Sequence, residues 1–223
     1  LVLLDGGLDE VKDKLPLIRK KSECLQKMGE QEDAITVLNK YLTQFADTYE
    51  LYFDLSKLYL EKQDYKLALS CLHEGLKYNP NNRLLMHHYA RLLYDHFDMK
   101  LSLIPYNKLV ELAPEDPEYR TLRGNAYLEL ELNDLAIYEY KEADKMAGHK
   151  QSWIIANIGN LLNNRGLHSE AIPNFNLAIE LTPDYQYAHE RLARAIKLRS
   201  EQSDKLKEIE QDAMQQLAQF NID

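Results

Sequence analysis

The chain has 223 residues, 45% apolar and 28% charged, with a formal net charge of −9. That balance belongs to an ordered protein able to bury a core as one domain or one repeat array. The acidic sum excludes broad nucleic-acid binding, which needs a basic field, and no apolar run approaches the roughly 18 residues of a membrane span.

At the N-terminus, Leu1–Leu4 is too short for a signal segment and has no basic flank before it. The missing initiator Met leads us to expect a piece of a longer protein. Residues 1–14, with Asp5-Gly6-Gly7, are expected to be a linker or the end of a preceding element.

A period emerges from three prolines. Asn79-Pro80, Ala113-Pro114 and Thr182-Pro183 each close a helix-like stretch; Pro80 and Pro114 are 34 residues apart, and Pro183 lies one residue beyond two further periods. Placing each Pro at repeat position 32 gives windows 49–82, 83–116, 117–150 and 152–185, with Gln151 inserted. Extending the period outward adds 15–48 and 186–219.

Within the windows, small and large residues recur in register. The first keeps Ile18, Ser22, Leu25, Gly29, Ala34 and Leu38; the second has Tyr52, Leu55, Ser56, Tyr59, Ala68 and Leu72. Ala90, Leu93, Ser102 and Tyr106 mark the third, and Gly124, Tyr127, Ala136, Tyr140 and Ala143 the fourth. The fifth carries Ile155, Ile158, Gly159, Leu162, Gly166, Ala171, Phe175 and Ala178.

Over roughly residues 15–219 the chain therefore resembles the tetratricopeptide repeat family. The resemblance implies an all-α fold, a right-handed α-solenoid of stacked antiparallel helix pairs. Small residues at positions 8 and 20 let helices A and B of a pair approach, larger ones at 4, 7, 11 and 24 fill the flanks, and stacking supplies the core. The position-32 Pro stops helix B.

Some positions depart from the pattern. Pro105 falls inside a predicted B helix and is expected to kink or delay it, whereas Pro173 is expected near enough to a helix start to cost no bond. Arg123 stands where position 7 calls for Leu, and Gly148 replaces the position-32 Pro, so the fourth repeat is expected to pack irregularly. In 186–219, a helix over about 203–220 places Leu206, Ile209, Ala213, Met214 and Leu217 on one face, and its polar face is expected to cap the array.

The resemblance also implies that positions 2, 5, 6, 9, 12 and 13 of the A helices face a concave groove. Position 9 reads Glu23, Lys57, Arg91, Asn125, Asn160 and Arg194, while position 6 includes His88, Asn157 and Arg191. His87, Thr121 and Ala156 stand at position 5, Trp153 and Tyr187 at position 2. Amides can bond a peptide backbone and Arg can grip a carboxylate. Otherwise these are solvated residues of a polar helix face, and Trp153 is either a groove aromatic or packing between neighbouring A helices. Family members that hold chaperone C-terminal carboxylates carry Lys and Asn where this chain has Thr121 and Asn125, then Asn where it has Asn157, then Lys and Arg where it has Tyr187 and Arg191. Asn125, Asn157 and Arg191 match and both lysines are missing, which argues against a chaperone clamp.

Catalytic signals are lacking: no Gly-rich phosphate loop, nucleophile elbow or His-Glu-x-x-His element occurs. Adjacent His87 and His88 point about 100° apart on a helix and make a poor metal pair, and no cofactor is expected. Cys24 and Cys71, without metal-type spacing, read as thiols of a reducing compartment, so a cytoplasmic location is expected, with a periplasmic one left open. The expected function is a non-catalytic module that holds a peptide or helix of another protein in its groove. Self-association as a scaffold is a second reading, and service as the regulatory arm of a larger enzyme is a third.

Overall fold

The computed structural model describes residues 14–44 and 46–220, and the expected linker at 1–14 lies outside them except for Lys14. Among the described residues there are eleven helices and no strand. They are α1 (Leu15–Lys27), α2 (Gln31–Leu42), α3 (Tyr49–Glu61), α4 (Tyr65–Tyr78), α5 (Arg83–His96), α6 (Met99–Leu112), α7 (Pro117–Glu129), α8 (Asn133–Met146), α9 (Ser152–Asn164), α10 (His168–Leu181) and α11 (Gln186–Phe220). Successive helices pack as pairs, α1 on α2 through α9 on α10, and the fold class is the all-α solenoid of stacked helix pairs. The chain divides after Pro114 into two compact halves.

Local sequence sets the helix ends. Asp64, Asn82, Asp98 and Asp116 each accept a hydrogen bond from a first-turn N–H of the helix that follows, at 2.9–3.1 Å. Helices α4, α6 and α10 stop two residues before Pro80, Pro114 and Pro183, where the missing N–H and the steric demand of the ring end the ladder. Where Gly148 replaces that Pro, α8 ends instead through left-handed backbone at Gly148 and His149, with the His149 N–H bonded to the Asp144 carbonyl. The A-to-B turns of four pairs share this device: Gly29, Gln63, Glu131 and Gly166 all have φ between 59° and 81°. Each is followed by a residue whose N–H reaches five residues back, such as Leu167 to Leu162.

Both halves use one packing rule. Position 20 of every pair is fully buried: Ala34, Ala68, Ser102, Ala136 and Ala171. The large residue at position 24 is buried too, as Leu38, Leu72, Tyr106, Tyr140 and Phe175, each contributing about 2–3 kcal/mol by loss of exposed apolar area. Facing it across the hairpin is the small residue at position 8, which is Ser56 opposite a leucine but glycine opposite Tyr140 and Phe175. A Cβ on Gly124 would stand 2.9 Å from the Tyr140 ring, and one on Gly159 would stand 2.9 Å from Phe175. Buried hydroxyls are satisfied within their own helix turn, as Ser56 to the Phe53 carbonyl and Ser102 to the Met99 carbonyl, both 2.6 Å.

Several expectations are corrected. Pro173 is the sixth residue of α10, past the unpaired first turn, so its ring removes the bond that the Ser169 carbonyl would accept. Pro105 lies buried inside α6, which nonetheless runs on to Leu112. The region 186–219 is not a sixth hairpin but part of one continuous helix, Gln186–Phe220. Its distal part caps nothing: every side chain from Arg199 to Gln216 is exposed.

Arg123 is accommodated by charge rather than by irregular packing. Its Nη2 lies 2.6 Å from Glu139 Oε1, and Arg120 Nη1 lies 3.5 Å from Oε2 of the same carboxylate. The three side chains are 15%, 16% and 5% exposed, so this Arg–Glu–Arg cluster sits in the interior of the α7–α8 pair.

Candidate functional site

The candidate groove residues lie on A helices in both halves. In the N-terminal half, α3 carries Lys57 and α5 carries His87, His88 and Arg91. Lys57 Nζ sits 2.8 Å from Asp54 Oδ1 and 4.8 Å from the centre of the Phe53 ring. Asp54 also takes Arg19, with Nε 2.6 Å from Oδ2 and Nη2 3.2 Å from Oδ1. Two cations therefore share one carboxylate, beside an open crevice of about 410 Å³ lined in part by Arg19, Lys20, Glu23, Asp54 and Lys57. Lys27 and Lys20 hold the Glu23 carboxylate at about 2, below the usual range.

Arg91 is paired as well, its Nε 3.4 Å from Asp95. His88 packs edge-on against Phe53, with ring centres 5.0 Å apart. Burial pushes its pKa down, helped by the nearby His87, Arg91 and Lys57. The N-terminal cations are thus largely neutralised by carboxylates of the same helices and their neighbours. Sequence spacing could have shown this, since Asp54 precedes Lys57 by three positions and Asp95 follows Arg91 by four.

In the C-terminal half the arrangement differs. Asn125 on α7 is tied to the core, its Oδ1 accepting the Tyr140 hydroxyl at 2.5 Å. Thr121 and Ala156, expected along the groove at position 5, are fully buried instead, and the Thr121 hydroxyl donates to the Pro117 carbonyl at 2.7 Å. The close helix approach at Gly124 and Gly159 draws that flank of each A helix inward.

Helix α9 presents Trp153, Asn157 and Asn160, and α11 presents Tyr187, Arg191 and Arg194. Trp153 is 37% exposed and donates its ring N–H to the Gln151 side chain at 3.1 Å. Arg191 lies over the Tyr187 ring, 4.9 Å from its centre, an arrangement worth about 0.5–1 kcal/mol at exposed sites. Neither Arg191 nor Arg194 has a carboxylate partner among the described residues. The Asn160 Oδ1 is buried and accepts no hydrogen bond.

No cluster of three His, Cys, Asp or Glu able to hold a metal occurs among the described residues. The His87 and His88 ring centres are 5.8 Å apart. No helix among the described residues is long and apolar enough to cross a membrane. Burial raises the Cys71 thiol pKa to about 11, which holds it as an unreactive thiol.

Helix pairs of 34-residue pitch, closed by small-to-large contacts and presenting polar A-helix faces, define a helical repeat protein of the protein-interaction class. The tetratricopeptide repeat family model matches residues 49–82 and 154–185, so the chain carries tetratricopeptide repeats at those two helix pairs. Among solved structures it is similar to YrrB, a TPR protein (TM-score 0.70, 20% identity, 84% of this chain and 96% of that one). It is also similar to MamA from Desulfovibrio magneticus RS-1 (TM-score 0.68, 22% identity, 78% and 97%); at such identities the likeness is one of fold. Over 77 residues, 34% of this chain, it is 35% identical to ER membrane protein complex subunit 2-A of Xenopus laevis. The same extent and identity hold for subunit 2 of Xenopus tropicalis. The match spans about a quarter, 26%, of the length of those relatives.

Proposed function

We propose that the C-terminal half binds an extended, acidic peptide segment of a partner protein across α9 and α11, without catalysis. The observation that carries this reading is the contrast between the halves: Lys57 and Arg91 are met by Asp54 and Asp95, whereas Arg191 and Arg194 meet no carboxylate among the described residues. Asn160, half-buried on the same helix as Asn157, adds a second side-chain amide. Asn157 offers both donor and acceptor to the peptide backbone, and Arg191 or Arg194 pairs with a peptide carboxylate. Trp153 and Tyr187 supply aromatic surface for its apolar side chains. YrrB, similar in fold, is described as having an unusual peptide-binding site.

Selection from a random peptide library tests the reading. Enriched peptides should carry Asp or Glu, and their binding should weaken with salt. Arg191→Glu with Arg194→Glu should cost tenfold or more, about 1.4 kcal/mol, while Lys57→Glu leaves affinity unchanged. Enrichment without acidic residues, or full binding by the double variant, would overturn the assignment.

A further inference from the structure

The second half of α11 carries an apolar stripe that is exposed among the described residues. Upstream, the same helix face is covered by the array: Ala188 and Ala195 are fully buried, and Leu192 packs against the C-terminal core. Helix α10 begins at His168, and Ser169 lines a crevice with Arg199, Gln202, Leu206 and Ile209, where that cover gives out. Beyond it, Leu206 and Ile209 are 56% and 57% exposed, and Ala213 is exposed as well. Residues 192, 195, 199, 202, 206, 209 and 213 alternate steps of three and four, the spacing of a heptad seam. Arg199 and Gln202 form a polar break between the part of the seam used inside the molecule and the part left open.

We propose that this open stretch is a self-association helix whose occupant is the same stretch of a second copy, parallel and in register. Charge selects the occupant. With Leu206 and Ile209 as the inner positions, Lys205 and Glu210 flank the seam, and a parallel partner sets Lys205 of each chain against Glu210 of the other. Neither residue has an ion-pair partner within the described chain, so both are available for that contact. Like layers also meet like: Leu206 on Leu206, Ile209 on Ile209, Ala213 on Ala213. An antiparallel pairing centred on Leu206 and Ile209 sets Ala213 against Gln202, and one centred further along brings Glu210 against Glu210. The seam is short, so the association is reversible and depends on concentration.

Sedimentation of the full chain from micromolar to near-millimolar concentration tests this. Mass should rise toward whole multiples of one chain; Leu206→Asp with Ile209→Asp should hold the protein monomeric at unchanged helicity, since both side chains are exposed. Lys205→Glu alone and Glu210→Lys alone should each weaken association at least tenfold, and mixing the two variants should restore it. A strict monomer throughout overturns the proposal. So does association that survives the Asp substitutions, which would put the contact elsewhere, or a failure of the mixed variants to recover.

Discussion

Gly159 and Phe175 are locked together: a Cβ on the glycine would stand 2.9 Å from one ring carbon and 3.1 Å from two others. The pair joins helix A to helix B of the fifth repeat, and both residues are buried. On propensity alone, alanine would favour the helix by about 1 kcal/mol. Here the ring is fully buried, and overpacking of this kind costs about 1–3 kcal/mol. We expect Gly159→Ala to lower the thermal midpoint, and to become neutral or stabilising once Phe175→Leu is also present. Circular dichroism melts of the four variants in this cycle give the coupling directly. The third repeat carries Ala90 at position 8 and Tyr106 at position 24, both buried, so an aromatic at position 24 does not by itself require glycine at position 8.

Gln63 and Glu131 hold left-handed backbone, both with φ of 59°, at the turns where Gly29 and Gly166 stand in other repeats. That conformation costs a residue bearing a Cβ about 1–2 kcal/mol, less the extra freedom glycine has in the unfolded chain. Both side chains are exposed, so no packing is lost on truncation. Gln63→Gly and Glu131→Gly should therefore each stabilise by about 0.5–1 kcal/mol in urea titration, with Gly166→Ala changing stability in the opposite direction. A loss of stability on either glycine substitution would refute the strain argument.

The Arg120–Glu139–Arg123 cluster is a buried charge group that removal of one partner leaves uncompensated. Glu139→Leu alone should destabilise by roughly 3–5 kcal/mol, whereas converting all three residues to apolar ones should be close to neutral. Arg123→Leu also restores the residue that position 7 ordinarily carries. Chemical denaturation of the single and triple variants distinguishes the two outcomes, and equal losses in both would show that the cluster stabilises the pair outright.

The repeat itself was legible because its physics is local. Small residues at positions 8 and 20, a large one at 24 and prolines at 80, 114 and 183 state the helix-pair approach and the helix stops without reference to any distant contact. Arg123 was visible as an oddity, but its partners were not, because Glu139 is 16 residues away and only the folded hairpin brings it within 2.6 Å. Asn125 read as a groove amide until the Tyr140 hydroxyl was found on its Oδ1. Pro173 was misplaced because a helix start shifted by a few residues decides whether a missing N–H matters.

The sequence alone determined the period, the all-α class and the small and large residues that close each helix pair, since these follow from residue size and spacing along single helices. Only the tertiary structure decided that Arg19 joins Lys57 on Asp54, that Glu139 gathers Arg120 and Arg123, and that residues 186–220 form one helix with an uncovered end. Charge pairing between helices, and burial, depend on what a neighbouring helix brings within a few ångströms, and no periodicity along one helix carries that information.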